Sequence, residues 1–338
     1  MFQDTPNKQI IRSRWDQPIL QKFKQSSQDG LTYFGMPGPQ IRDFIDWKDL
    51  LSYKTAVQIV RQGVQREEDL ATINKIHTNV AVKNISHVQV LRGSVEEVIL
   101  KGYDMDGTAP RQSRQETSGK RIFTYDFINL DFEGGAGYKA KGGRARVSDN
   151  SGGQRIESIR KLFDRQQGHS FVFFWTVNVR DTLGDEPMQY LKEVAQRIQR
   201  QSVQEIVKWT VSLKDSGLKH YQLKTWIPLF VKEEAEGRRF YCHCYPPVFY
   251  EGFEHARMVH FAFKLDFESG RDLRVSSPQD EDRVVRLPMV ETRDGELCIA
   301  ATQYPGFDGA ICKSELDFLD KTTKRKILNT MSSSHMAA

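Results

Sequence analysis

Hydrophobic and polar positions follow two rhythms along this chain. One is a set of short runs of β-branched and aromatic residues, at 31–39 (LTYFGMPGP), 54–60 (holding TAVQIV), 87–92 (HVQVLR), 123–132 and 171–179 (FVFFWTVNV). Apolar character on both faces of such a run predicts a strand buried inside a parallel sheet. Between the runs lie stretches with helical periodicity. These are 41–51 (IRDFIDWKDLL), a polar helix at 65–79, SVEEVILKG at 94–102, a helix at 155–166 with Ile156, Ile159, Leu162 and Phe163 on one face, and one or two helices over 187–214. Strand and helix alternating through five strands predicts right-handed crossovers and a doubly wound, mostly parallel α/β sheet.

After residue 238 the rhythm changes. Segments 239–250 (RFYCHCYPPVFY) and 258–267 (MVHFAFKLDF) are strands joined by a short turn holding Gly252, with no helix between them. They predict an antiparallel hairpin closing the sheet. Three regions are expected: a helical N-terminal extension over 1–30, an α/β domain over 31–268, and a small β-rich appendage with a basic tail over 269–338. In the extension, Ile19, Leu20 and Phe23 form an apolar face, and Arg12, Arg14, Lys22 and Lys24 are expected to solvate its outer side. Residues 104–121 read as an exposed loop and 278–283 as an exposed charged run.

The stretch FTYDFINLDFEGGAGYKAKGG (123–143) is where chemistry is expected. In open α/β sheets ligands bind beyond the carboxyl ends of the strands. Asp131 and Glu133 stand where this strand should end, as candidate catalytic carboxylates. Asp131 is the stronger candidate for a general base or an acceptor of a substrate amine. The loop that follows, 134–153, holds seven glycines and the cations Lys139, Lys141, Arg144 and Arg146. Cations on such a loop suit phosphate contacts, and Tyr138 could stack on a base. A solvated surface loop without chemistry is the competing reading. Thr176, Asn178, Arg180 and Asp181 fall at the same sheet edge, with Asn178 and Arg180 taken as cleft residues. Cys242 and Cys244 alternate on a strand, which sends both sulfurs to one face and His243 to the other. With no second Cys/His pair at finger spacing they read as core cysteines, and His260 as a core histidine.

Composition narrows the class. At 338 residues, 38% hydrophobic and 28% charged, the chain can bury a full core. No apolar run approaches the roughly 20 residues that cross a bilayer, so no membrane partner is expected. Four scattered cysteines do not make a disulfide framework, and a cytoplasmic setting is expected. A net charge of +5 permits an anionic partner without requiring one.

Five alternating strands followed by a helix and an antiparallel hairpin resemble the class I S-adenosylmethionine-dependent methyltransferases, over roughly residues 30–267. The resemblance places LTYFGMPGP at the family's glycine-rich cofactor loop, with Gly35 and Gly38, and TAVQ where the ribose-binding acid stands, with Gln58. It places LRGS near the adenine, with Ser94, and NLDFEGG at the motif after the fourth strand, with Asp131. It departs from the family in Gln58 and Ser94, which replace expected acids, and in the lack of an N-P-P-Y-like tetrapeptide. It implies S-adenosylmethionine as cofactor and methyl transfer; with the cations of the 134–153 loop the expected acceptor is polyanionic, nucleic acid being one candidate. The alternative is a cofactor-free, methyltransferase-like binding subunit of a nucleic-acid-processing or anti-phage defence assembly, with a protein partner.

Overall fold

A computed structural model describes residues 4–25, 30–60, 65–115, 119, 121–132, 151–179, 183, 185–213, 218–270, 278–300 and 313–334. The chain opens with α1 (Pro6–Ile11), a π-helical turn (Arg12–Asp16) and α2 (Gln17–Lys24). Strand β1 (Leu31–Gly35), the five-residue helix α3 (Arg42–Asp46) and β2 (Leu51–Gln58) follow. Next come α4 (Arg66–Val82), β3 (Val88–Arg92), α5 (Val95–Lys101), and the short antiparallel pair β4 (Ser113–Gln115) and β5 (Arg121–Phe123). Then β6 (Phe127–Asp131), α6 (Ser151–Arg165) and β7 (Phe171–Asn178) complete the alternation. Helices α7 (Asp185–Arg197), α8 (Gln201–Ser212) and α9 (Lys219–Glu236) precede β8 (Phe240–Cys244), β9 (Val248–Glu251) and β10 (Arg257–Phe267). The chain ends with α10 (Pro278–Arg286), β11 (Val290–Arg293), β12 (Glu296–Ile299) and α11 (Lys321–Ser334).

Ten strands form one sheet in the order β12-β11-β9-β10-β7-β6-β1-β2-β3, with β8 also on β10. The expected doubly wound, mostly parallel sheet is present. β3, β2, β1, β6 and β7 are mutually parallel, and β10 is antiparallel to β7, β8 and β9. The expected hairpin exists, but its first arm breaks at Tyr245-Pro246-Pro247 into β8 and β9, because proline cannot donate to a ladder. The β-rich segment after 269 joins the same sheet, since β11 runs parallel to β9.

Two layers cover the sheet. Phe34, Ile128, Leu130, Phe173 and Trp175 face α5, α6 and α9, while Tyr33, Phe127 and Phe174 face the N-terminal helices. Both β6 and β7 are buried on both sides, as their mostly apolar runs require.

Several expectations are corrected. The helix expected over 41–51 stops at Asp46, because β2 already begins at Leu51. The loop at 104–121 is anchored by the buried Asp104, which accepts from the backbone N–H groups of Arg92, Asp106 and Thr108. The charged run at 278–283 starts α10, which buries Val284 and Val285 and pairs Arg283 with Glu315 at 2.5 Å. Arg12 does not solvate an outer face: it is buried and bonds Asp4 and Asp46.

Candidate functional site at the carboxyl edge of the sheet

The strand order reverses between β1 and β6, so the chain leaves β1 toward β2 on one side and returns through β6 on the other. Loops diverge at such a switch point and leave a crevice. Gly35 ends β1 there. A Cβ on Gly35 would lie 2.3 Å from the Asn129 carbonyl oxygen and 2.6 Å from the Tyr33 hydroxyl, so only glycine lets β1 and β6 approach this closely. The turn then runs through Met36, Pro37 and Gly38, whose φ of 65° is left-handed, to Ile41 and α3.

Helix α3 brings Asp43 back beneath the turn. Its Oδ2 accepts from the Tyr33 hydroxyl at 2.8 Å and from Asn129 Nδ2 at 2.7 Å. Burial pushes the Asp43 carboxyl above its usual range, and Arg12 with these two donors opposes the shift. The Tyr33 hydroxyl is pushed up by burial and then by Asp43.

Register sets the next row. Asp131 on β6 pairs with Thr176 on β7, and Thr176 pairs with His260 on β10. Neighbours in register point to one face, which here is the face beneath the N-terminal helices. Lys8 of α1 reaches Asp131 Oδ2 at 2.5 Å. Burial weakens the Lys8 ammonium, but Asp131 and Tyr250 outweigh it and raise its pKa. The second oxygen, Asp131 Oδ1, is buried and has no hydrogen-bond partner among the described residues. Such an atom carries a desolvation cost that a ligand donor would relieve.

Two adjoining cavities open here. One, of about 390 Å³, is lined by Asp4, Lys8, Arg12, the 36–40 turn, Arg42, Asp43 and Asp131. The other, of about 330 Å³, adds Asp16, Asn129, Thr176, Tyr250 and His260.

Gly38 and Asp131 therefore share one cavity, and Thr176 lines the next. Gln58 and Ser94 line neither. Gln58 is buried, with Nε2 on the Ile59 carbonyl at 3.4 Å. The Ser94 hydroxyl caps α5, accepting from the Glu97 N–H at 3.1 Å. Asn178 is buried at the end of β7. Glu133, Tyr138, Lys139, Lys141, Arg144, Arg146, Arg180 and Asp181 lie outside the described residues. The thiols of Cys242 and Cys244 are buried 3.8 Å apart, and His243 meets Arg283 from the other face. Lys8, Arg12, Asp16 and Asp43 escaped the sequence reading. Only Asp43, an acid just past the first turn, carried a usable signal.

A bound S-adenosylmethionine would present a carboxylate and an ammonium at its methionine end. A cavity lined by Lys8, Arg12, Arg42, Asp4, Asp43 and Asp131 offers groups of both signs to such a zwitterion. The residues present fit the group at that end.

No family profile and no curated protein matches the sequence. Among solved structures the chain is similar to Trm5b from Pyrococcus abyssi, at 9% identity and a TM-score of 0.37 over 75% of this chain and 48% of that one. The chain thus spans about half of Trm5b. It is also similar to a SAM-dependent methyltransferase from Aquifex aeolicus, at 10% identity and a TM-score of 0.36 over 78% and 99% of the two chains. A third is the O-methyltransferase TomG from Streptomyces achromogenes, solved in complex with SAM, at 12% identity and a TM-score of 0.34 over 75% and 80%.

Proposed function

We propose that this chain is an S-adenosylmethionine-dependent methyltransferase whose acceptor is polyanionic, with nucleic acid as the leading class. The observation that carries the reading is Asp131. It ends the central strand at the switch point, shares a cavity with the 36–40 turn, and keeps a buried carboxylate oxygen without a hydrogen-bond partner among the described residues. The cofactor supplies an electrophilic methyl group on a sulfonium. The turn after Gly35, with Lys8 and Asp43, would hold its methionine end. Gln58 and Ser94 are assigned to the nucleoside end by the resemblance alone. Asp131 would orient the acceptor, and the cations Lys139, Lys141, Arg144 and Arg146 support a polyanion.

Two observations favour a second reading, a binding subunit that has lost its cofactor. Lys8 already occupies one oxygen of Asp131, and the Ser94 hydroxyl is spent on a helix cap. Calorimetric titration with S-adenosylmethionine and S-adenosylhomocysteine separates the two. The methyltransferase reading expects saturable binding of both, and no heat at millimolar ligand would overturn it in favour of the binding subunit.

A further inference from the structure

The row Asp131–Thr176–His260 continues past β10. His260 Nε2 lies 2.9 Å from Asp16 Oδ1, and His260 Nδ1 lies 2.9 Å from Thr176 Oγ1. All three residues are buried, at 2% to 4% exposure, and all three line the cavity that Asp131 also borders. If the Asp16 oxygen accepts from Nε2, the ring proton sits there and Nδ1 is left as an acceptor. The Thr176 hydroxyl then donates to Nδ1. Phe174 packs edge-on at 5.3 Å between ring centroids and holds the imidazole plane. A hydroxyl, a histidine and an aspartate joined in this order make a nucleophile–base–orienter chain.

We propose that Thr176, His260 and Asp16 form a proton relay that deprotonates a protic methyl acceptor, a hydroxyl or an amine, held in the cavity beside Asp131. This rests on the methyl-transfer reading and narrows its substrate class to acceptors that must lose a proton. The balance is simple. The acceptor's O–H or N–H bond breaks and a new O–H bond forms on Thr176. The hydroxyl proton of Thr176 passes to His260 Nδ1, and the resulting imidazolium faces the Asp16 carboxylate 2.9 Å from Nε2. Water entering the cavity takes the proton back by the same path. Asp131 is the poorer base because Lys8 already holds its Oδ2. Thr176 touches the acceptor. His260 and Asp16 act through it and are positioning residues.

Two measurements on the full chain test this. Nitrogen-15 NMR of the imidazole should show the Nε2–H tautomer in the parent and a shift toward Nδ1–H in Asp16→Asn, whose amide can donate. Labelled S-adenosylmethionine with total cellular RNA as acceptor should lose transfer by about 10²-fold or more in Thr176→Val, with donor affinity unchanged, and recover to within a few-fold in Thr176→Ser. An Nδ1–H ring in the parent would overturn the relay whatever the activity, since Thr176 could then only accept. Transfer by the valine variant at the parent rate would overturn it too. A parent that binds no donor overturns the methyl-transfer reading, and with it the relay's use. A parent that binds donor but labels no RNA overturns the nucleic-acid acceptor, and the tautomer then decides the relay.

Discussion

The two halves of the sheet's carboxyl edge treat their polar residues in opposite ways. At the ends of β2 and β3, polar groups are satisfied by their chain neighbours. Ser94 caps the helix that follows it, Gln58 leans on the next carbonyl, and Asp104 gathers amides within twelve positions. At the ends of β6, β7 and β10, partners come from far away, with Lys8 123 positions from Asp131 and Asp16 244 positions from His260. Local satisfaction builds turns and caps and leaves little over for a ligand. Long-range pairing keeps charge in a dry place, where every interaction is stronger and every missing partner costs more. The second half is therefore the place to look for chemistry.

The largest expected effect tests that half directly. Asp131→Asn should cut single-turnover methyl transfer by about 10²-fold or more, because the acceptor loses the carboxylate that orients it, while donor affinity is kept. Transfer at the parent rate would show that Asp131 is structural, and the contrast would fail. Under acid, a contribution from outside both halves must first be subtracted. Burial, then Arg283, Lys264 and Lys22, push the His243 imidazole down to about 4. Unfolded, it would take up a proton near 6.5. The unfolded chain thus binds more protons between these values, and stability falls as pH drops from about 6.5 to 4, by up to about 3 kcal/mol. Urea titrations of His243→Gln should show that much less loss across the window; equal loss would assign the acid sensitivity elsewhere.

Smaller effects belong to the local half. Ser94→Ala should cost about 1 kcal/mol of stability through the lost cap, and unchanged donor affinity would remove Ser94 from the nucleoside end that the resemblance assigns it. A drop in affinity with unchanged stability would move Ser94 into the site and erase the distinction. Gln58→Ala should weaken donor binding by about 1 kcal/mol, one neutral hydrogen bond, without touching turnover at saturation. An unchanged dissociation constant by calorimetry would confine the whole site to the β6–β10 half.

The same local and long-range division governs what could be read before any coordinates. Strand β7 is apolar at six of its eight positions, and its expected 171–179 differs from the observed strand by one residue. Helix α9 left no readable rhythm. It is buried on nearly every side and carries Pro228 in its interior, so neither a polar face nor a clean helical signal survives. Helix α10 hid its two buried valines behind four charged residues. In the site, Asp131 was legible because a strand's end is a local event. Lys8 and Asp16 were not, because nothing in residues 6–16 says which carboxylate or imidazole they will meet. Arg12 shows the same limit, since a basic residue on an amphipathic helix reads as solvated until a buried acid is found beneath it.

The seating of β10 between β7 and the β8–β9 pair has a consequence for the order of synthesis. Strands β1, β2, β3, β6 and β7 have all been made long before Arg257 leaves the ribosome. Until then β7 is the open border of a nascent parallel sheet, apolar on both faces and with one row of backbone groups unpaired. Such a border invites another chain to pair with it. The chain's own later strand closes it, over the whole span from Phe171 to Asn178. That closure is the same event that sets His260 beside Thr176, so a polypeptide still open to aggregation has no relay, and one with a relay has lost its sticky border.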